Sequence, residues 1–281
     1  MKTQHHKKIC LAQNFLRSPK LVHRLVGMST IGPSDTVYEI GPGNGIITAA
    51  LATVAGRVIA IEKDPVLVRR LRERFRSLDN IEIVENDFLS YSFSNQSGNG
   101  APSLRVGRQT RTSEYKIFAN IPYNVTARIL RTILYEPSNL TEGYLILQKE
   151  AAKKFSGFPK ETLTSVLAKP FFEFQMLSQL SRTDFRPVPN VDSVLLLIKR
   201  RTRPLIEMQE VAPYRAFVQH GFGRWKPNLK LAFKNVFTYK QWKWLARDLD
   251  FPLRATPTEL GFEQWLGLYH AFRHLRRHDC S

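Results

Sequence analysis

Cysteine, long apolar runs and negative charge are all scarce in this chain of 281 residues. The two cysteines, Cys10 and Cys280, lie at opposite ends and form no CxxC pair, so the sequence suggests neither a disulfide framework nor a zinc site. No run of about eighteen apolar residues is present, which excludes an ordinary membrane-spanning helix. The first residues lack the apolar stretch of a secretory signal, and we therefore expect a cytoplasmic protein without a metal site.

Acidic residues are outnumbered, because 24 Asp and Glu stand against 42 Lys and Arg, a formal net charge of +18. Such a field attracts polyanions through phosphate contacts and counterion release, so nucleic acid is the leading partner. A basic surface without a partner and a surface that lies on an anionic membrane are the alternatives. The clusters expected to contact RNA lie within residues 1–24, at 69–76 and around Lys226, Lys230 and Lys234.

The hydrophobic pattern predicts two domains, over residues 1–203 and 204–281. From 21 to about 157, short β-branched runs alternate with amphipathic segments, which is typical of a doubly wound, mostly parallel α/β sheet. Extended runs at 172–180 and 193–200 predict a final antiparallel pair. Residues 94–113 are polar without a hydrophobic period and predict a flexible insert. The second domain is predicted to be all-helical, with helices at 214–222, 229–237, 241–249 and 262–275.

A glycine-rich turn at 41–45, Gly-Pro-Gly-Asn-Gly, follows the first strand and allows a nucleotide cofactor to approach the backbone. Because the same turn serves NAD, FAD or simple packing, it does not identify the cofactor alone. Glu62 ends the next strand about twenty residues on, where a carboxylate can accept both ribose hydroxyls. The turn lacks the third glycine that accommodates a pyrophosphate, which favours S-adenosylmethionine over NAD. Asp87 is placed to accept from the adenine amine, although an ordinary strand-end turn would also explain it.

The tetrapeptide Asn120-Ile121-Pro122-Tyr123 follows the fourth predicted strand, at the sheet edge where doubly wound folds bind ligands. An adenine N6 amine is a poor nucleophile because its lone pair is delocalised into the ring. The Asn120 amide oxygen and a main-chain carbonyl held out by Pro122 can accept its two N–H bonds during methyl transfer. Tyr123 supplies a stacking face for a flipped base. A turn made by Asn and Pro for local reasons is the alternative.

These motifs resemble those of the rRNA adenine-N6 dimethyltransferases, of the KsgA and Erm types, over nearly the whole chain. Residues 13–16 are similar to the family's N-terminal cofactor motif, 39–45 to its glycine-rich turn and 120–123 to its catalytic tetrad. Residues 186–193 are similar to the proline loop before its last strand. The chain departs from the family at the 94–113 insert, because the span that contains it is usually much shorter.

The resemblance implies a catalytic domain over residues 1–203 that transfers the methyl group of S-adenosylmethionine in line to adenine N6, once or twice. It implies that Tyr123 and Phe185 sandwich the target adenine beside the other catalytic residues, Asn120, Ile121 and Pro122. The cofactor-binding residues that it implies are Gln13, Asn14, Leu16, Gly41, Gly43, Glu62, Lys63, Asp87, Phe88 and Asn120.

Sequences at 128–131, 217–227 and 262–266 are similar to the Erm type. This likeness implies a monomer that methylates one adenine of 23S rRNA not yet assembled into ribosomes, with resistance to macrolide, lincosamide and streptogramin B antibiotics. The KsgA type, which modifies two adjacent adenines of small-subunit rRNA, is the first alternative. A non-catalytic RNA-binding or transcription factor on the same fold is the second. DNA adenine or protein glutamine methyltransferases more often carry a Pro where this chain has Ile121.

Overall fold

The structure is a computed structural model that describes residues 14–91, 114–135, 139–223 and 227–278. These residues form two compact units. The first contains those up to Lys149 together with Gln175–Arg200, and the second contains Glu150–Phe174 together with those from Arg201 onward. The predicted insert at 94–113 lies outside the described residues.

The first unit is built on a seven-stranded sheet. Its strands are β2 (Thr36–Ile40), β3 (Arg57–Glu62), β4 (Ile81–Glu85), β5 (Tyr115–Asn120), β6 (Leu140–Gln148), β7 (Phe172–Leu180) and β9 (Ser193–Arg200). The spatial order is β4-β3-β2-β5-β6-β9-β7. The strands from β4 to β6 pair in parallel, and β9 runs antiparallel to β6. The predicted class, a mostly parallel methyltransferase-like sheet with an antiparallel last strand, is confirmed.

This unit contains four helices, two of which begin at a side-chain cap followed by proline. They are α1 (Pro19–Val26), α2 (Ile46–Ala52), α3 (Pro65–Arg74) and α4 (Thr126–Tyr135). Ser18 caps α1 by accepting from the Leu21 N–H, and Asp64 caps α3 by accepting from the Val66 N–H. A proline follows each cap at the first helical position, where its missing N–H costs no hydrogen bond.

The carboxyl ends of four parallel strands meet at one edge of the sheet, which we call the carboxyl edge. Ile40, Glu62, Glu85 and Asn120 are the residues that end these strands. A short two-stranded ladder also forms in this unit, in which β1 (Phe15–Leu16) pairs antiparallel with β8 (Phe185–Arg186). Parallel topology therefore brings together motifs that are far apart in the chain.

The second unit is helical and closes around an aromatic core. Its helices are α5 (Lys149–Ser156), α6 (Leu163–Ala168), α7 (Val211–Gly221), α8 (Leu229–Ala232), α9 (Tyr239–Asp248) and α10 (Phe262–His278). Tyr214, Phe233, Trp242 and Trp265 are all buried in one cluster. Among the described helices, none combines the length and the apolar character that a membrane span requires.

Two features of the second unit differ from the sequence prediction. Glu150–Phe174 was assigned by sequence to the first domain, but it groups with the C-terminal helices, because Val166 belongs to their core and Leu163 packs against it. The helix predicted at 229–237 ends at Ala232. Beyond that point the backbone continues in turns that still bury Phe237 in the same cluster.

Candidate active site

A cavity of about 110 Å³ opens at the carboxyl edge. Five of the predicted cofactor-binding residues line it together, namely Gly41, Glu62, Lys63, Asp87 and Phe88. Three separate strand ends supply these residues, which explains why no single stretch of sequence describes the cavity. The structure therefore brings half of the ten predicted cofactor-binding residues to one cavity.

Glu62 is held by the backbone around it. Its Oε1 accepts from the N–H groups of Lys63 at 2.9 Å and Asp64 at 3.0 Å, and its Oε2 accepts from the Gly43 N–H at 3.3 Å. The residue is 1% exposed but lines the cavity. A carboxylate has about four lone-pair sites, and three of them are used here, so capacity remains for one ribose hydroxyl. Gly43 thus contributes to the site through its backbone N–H.

Asp87 has the local turn-capping role that was the alternative considered for it from sequence. Its Oδ1 accepts from the Leu89 N–H at 3.0 Å and caps a 3₁₀ turn, Phe88–Ser90. Within the described part of the chain, its second carboxylate oxygen has no hydrogen-bond donor. Asp87 lines the cavity, and its second oxygen can accept from an exocyclic amine.

Residues at and just before the start of helix α4 supply an apolar wall, of which only Pro122 was predicted as a site residue. Pro122, Val125 and Ile129 line the cavity, and Arg128 lies on the same side of the helix. The spacing of Val125, Arg128 and Ile129, at i, i+3 and i+4 directly after the tetrapeptide, is the sequence signal that would have identified them. With Phe88 they offer the flat apolar surfaces that an adenine ring requires.

A second, smaller recess adjoins Gly41 and is lined by Asn14, Phe15, Asn120, Ile121, Pro122 and Tyr123. The Asn120 Nδ2 donates to the Asn14 carbonyl oxygen at 2.7 Å. A carbonyl can only accept, so the amide nitrogen must face Asn14 and the Oδ1 must face away from it. The structure thereby orients the Asn120 acceptor, which the sequence could not do.

The main-chain acceptor beside Asn120 can also be identified. The Pro122 carbonyl oxygen accepts from the Val125 N–H and the Thr126 hydroxyl, each at 3.1 Å. The Ile121 carbonyl accepts no hydrogen bond among the described residues. The carbonyl that Pro122 leaves available is therefore that of Ile121.

The Tyr123 ring is half-buried, and its phenol lies 2.8 Å from the Ser193 hydroxyl. Ser193 is 1% exposed at the start of β9, so this hydrogen bond anchors the ring to the sheet. The sequence analysis did not assign Ser193 to the site. It lies at the end of the proline loop at 186–193, which was the only signal for it.

Phe185 and Leu16 lie in the core rather than at an open surface. Phe185 is 1% exposed, pairs with Leu16 in the β1–β8 ladder and packs in the apolar cluster of the first unit. The stacking role predicted for Phe185 therefore requires this side chain to leave the core. Gln13 lies outside the described residues.

Below the glycine-rich turn, Glu39 is a fully buried carboxyl without a cationic partner among the described residues. Burial raises its pKa to about 8, a hydrogen bond from Thr48 at 2.6 Å opposes that shift, and the Glu62 carboxylate adds to it. At neutral pH the protonated form of Glu39 predominates.

The model of the family "Ribosomal RNA adenine dimethylase" matches residues 4–270 of this chain. The chain belongs to that family. An rRNA adenine N-6-methyltransferase of Streptomyces fradiae is 31% identical over 276 residues, which are 95% of this chain and 79% of the relative. The ribosomal RNA small subunit methyltransferase A of Moorella thermoacetica is 35% identical over 201 residues, which are 70% of this chain and 68% of the relative.

Among solved structures, the 23S rRNA methyltransferase ErmE superposes with a TM-score of 0.79 at 28% identity. The superposition covers 92% of this chain and 100% of ErmE. Membership of the ribosomal RNA adenine dimethylase family makes the chain an enzyme of the rRNA adenine N6-methyltransferase type, with S-adenosylmethionine as its methyl donor. The predictions of family, enzyme class and cofactor are confirmed.

The acceptors and apolar groups of the cavity fit this cofactor. Glu62 can accept from a ribose hydroxyl, Asp87 can accept from the adenine amine, and the apolar groups of Phe88, Pro122 and Ile129 can enclose the ring. The turn has Gly41, Gly43 and Gly45, but Ile46 stands where the dinucleotide-binding pattern G-x-G-x-x-G has its third glycine, in agreement with a cofactor other than NAD. When bound, S-adenosylmethionine supplies an electrophilic methyl group on a sulfonium.

Proposed function

We propose that this protein methylates N6 of a specific adenine in 23S rRNA and thereby confers resistance to macrolide, lincosamide and streptogramin B antibiotics. The observation that carries the chemistry is the orientation of Asn120, whose amide oxygen faces away from Asn14 in the recess beside the cofactor cavity. The 23S target is supported by the likeness to ErmE over 92% of the chain.

In this mechanism the chain positions the amine and uses no strong base. The Asn120 Oδ1 and the Ile121 carbonyl accept hydrogen bonds from the two N6 N–H groups, which keeps the amine in place and favours the positive charge that develops on nitrogen until one proton leaves to solvent. Both acceptors are neutral and preorganised, so they need no rearrangement when the charge appears. The protein thus contributes orientation and electrostatic stabilisation.

The base is held by Tyr123, which Ser193 anchors through its hydroxyl. A flipped adenine is flat and can therefore stack on the exposed face of the Tyr123 ring. Exposed Arg17 and Arg186 flank the β1–β8 ladder of the same unit, and both form no ion pair among the described residues. They are suited to bind the phosphates on either side of a flipped nucleotide.

The deciding experiment supplies labelled S-adenosylmethionine with protein-free 23S rRNA, assembled large subunits and small-subunit particles as separate substrates. We expect incorporation into protein-free 23S rRNA, a primer-extension stop at a single adenine, and macrolide resistance in a susceptible host that expresses the protein. Equal or greater incorporation into small-subunit particles would contradict the 23S assignment. In the same preparation, gel filtration should show a monomer and cell fractionation a cytoplasmic protein.

The Asn120→Ala variant tests the chemistry separately from the target. Loss of a preorganised acceptor of this kind costs about 10²–10³-fold in rate, so we expect methyl transfer to fall by about that factor. The neighbouring Asn124 is exposed and lies outside the recess, and Asn124→Ala is therefore the matched control. If both variants lost activity to the same extent, the role of Asn120 would be disproved.

Dimethylation of two adjacent adenines in small-subunit rRNA is the second candidate. It is supported by the 35% identity to the Moorella thermoacetica enzyme, which exceeds the identity to the Streptomyces fradiae enzyme but covers less of the chain. Two primer-extension stops on small-subunit rRNA, with none on 23S rRNA, would favour this candidate.

A further inference from the structure

The outer face of α9 carries a stripe of four exposed residues, Lys240, Lys243, Trp244 and Arg247. Their spacing of i, i+3, i+4 and i+7 places them on one side of the helix. The opposite side is buried in the core of the second unit and consists of Trp242, Leu245 and Ala246. The stripe is therefore a solvent-facing surface on a rigidly packed helix.

This stripe lines a groove of about 510 Å³ that lies wholly within the second unit. Phe251 and Leu253 contribute an apolar part, and Asp250 adds one carboxylate. The volume lies in the range of ligand-binding clefts, about 300–1,000 Å³. From Lys240 to Arg247 the helix rises roughly 10 Å, a length comparable to one or two nucleotides of extended RNA.

The positive charge of the groove is largely uncompensated. None of its three cations forms an ion pair among the described residues, and Asp250 is the one acid in the lining. Some cations elsewhere in the same unit are paired, as Arg273 is with Glu210 and Arg201 with Glu173. The groove can therefore bind phosphates without first breaking an internal ion pair.

Trp244 leaves an aromatic face open in the middle of this charge. It is 52% exposed, whereas Trp242 and Trp265 are 2% and 0% exposed. The exposed ring of Tyr239 differs, because the Lys230 ammonium lies over it at 4.6 Å from the centroid. Proteins that bind single-stranded nucleic acids combine exposed aromatic rings, on which the bases stack, with cations that bind the phosphates. Trp244 and its neighbouring cations have this combination.

We propose that the α9 groove binds a single-stranded segment of the RNA substrate, with one base stacked on Trp244 and adjoining phosphates bound by Lys240, Lys243 and Arg247. This proposal rests on the proposed function, since it assigns a second binding surface for the same rRNA. Single strands are favoured over duplexes because paired bases are already stacked and cannot cover the indole.

The first test measures binding of a fluorescein-labelled single-stranded RNA decamer, and of the matching duplex, to the full chain by anisotropy. Stacking on one aromatic ring contributes about 1–3 kcal/mol, so Trp244→Ala should weaken single-strand binding roughly tenfold. Trp244→Phe keeps a stacking face and should stay within about threefold of the wild type. Unchanged affinity of Trp244→Ala, with an unaltered near-ultraviolet circular dichroism spectrum outside the lost indole, would overturn the proposal.

The second test uses the salt dependence of binding. Each phosphate contact on a single strand contributes a slope of about 0.7, so the triple variant Lys240→Ala, Lys243→Ala and Arg247→Ala should lower the slope by about 2. The control variant changes three exposed cations outside the groove that also form no ion pair among the described residues, Lys154, Lys160 and Arg203. Equal losses in both variants would show general charge attraction and overturn the proposal.

A vesicle arm and a methyl-transfer arm complete the design. If the groove triple variant lost binding to phosphatidylserine vesicles but kept single-strand RNA binding, the groove would be a membrane surface and the proposal would be wrong. If groove variants lost RNA affinity while the wild type failed to methylate 23S rRNA, the groove would stand and the proposed function would fall. If the wild type methylated 23S rRNA and the groove variants bound RNA as tightly as the wild type, the proposed function would stand and the groove proposal would be wrong.

Discussion

Both edges of the central sheet bury a carboxyl group, but the two groups differ in the hydrogen-bond donors and cations around them. At the amino edge, Glu142 accepts from the Thr30 hydroxyl and from the Tyr144 phenol at 2.7 Å. Lys116 lies 3.7 Å from the Glu142 carboxylate and donates to Asp35 at 2.9 Å. At the carboxyl edge, Glu39 accepts from Thr48 and has no cation among the described residues.

The pKa values of the two acids shift in opposite directions for this reason. Burial opposes ionisation of Glu142, but hydrogen bonds from Thr30 and Tyr144 and the charges of Lys116 and Lys199 lower its pKa overall. Burial of Glu39 is not offset in this way, and its pKa rises to about 8. One edge is a satisfied structural network, whereas the other keeps hydrogen-bonding capacity available at Asn120, Asp87 and Ile121.

The largest expected effect concerns Glu39 and pH. A raised folded-state pKa stabilises the fold below the unfolded value near 4.5, and that stability is lost as pH rises towards 8. Relative to Glu39→Gln, which is isosteric and neutral, the wild type should lose about 1.4 kcal/mol of unfolding free energy per pH unit in this range. Urea unfolding of both proteins at pH 5, 6.5 and 8 measures this. Parallel pH profiles would show that Glu39 is ionised in the fold.

The next effect concerns the amino edge. Glu142→Gln removes the charge that binds Lys116 and Lys199 and should cost about 2–3 kcal/mol of stability. Because the lowered pKa makes ionised Glu142 stabilising above the unfolded value of 4.5, this cost should shrink as pH falls below that value and the wild-type group protonates. Methyl transfer at a permissive temperature should be unchanged. A loss of turnover without a lower melting temperature would show that Glu142 acts in catalysis and not only in stability.

A smaller effect is expected from exchanging two helix-capping aspartates for asparagine. Asp87→Asn can still cap through its oxygen, but its new NH₂ group faces the adenine amine, so cofactor affinity should fall about tenfold. Asp64→Asn is the matched control, since Asp64 also caps a helix but does not line the cavity. Calorimetric titration with S-adenosylmethionine should separate the two variants. Equal cofactor affinities of the two variants would show that Asp87 does not contact the cofactor.

The smallest effect should come from the anchor of Tyr123. Ser193→Ala removes a single hydrogen bond and should reduce kcat by a few-fold, since such a bond contributes about 1 kcal/mol. Tyr123→Phe removes the same bond and keeps the ring. The double variant should therefore be no slower than the slower single variant. Multiplicative losses in this cycle would show that the two hydroxyls act independently.

The local parts of the fold were predictable because their signals are local. Proline after an Asp or Ser cap starts α1 and α3, and short β-branched runs form the strands. The acids at Glu62 and Asp87 were found because parallel strands end at one edge. Membership of 150–174 in the second unit was not predictable, since it depends on where Val166 packs.

By itself, the sequence determined the family, the enzyme class, the cofactor and the order of strands and helices, because motif spacing and hydrophobic period are properties of the chain. Only the tertiary structure decided which way the Asn120 amide points, that Ile121 rather than Pro122 offers the free carbonyl, and that Phe185 is buried. Each of these depends on a partner far away in the chain or on packing from another element. Such contacts form only when distant strands and helices pack together, so no local sequence pattern predicts them.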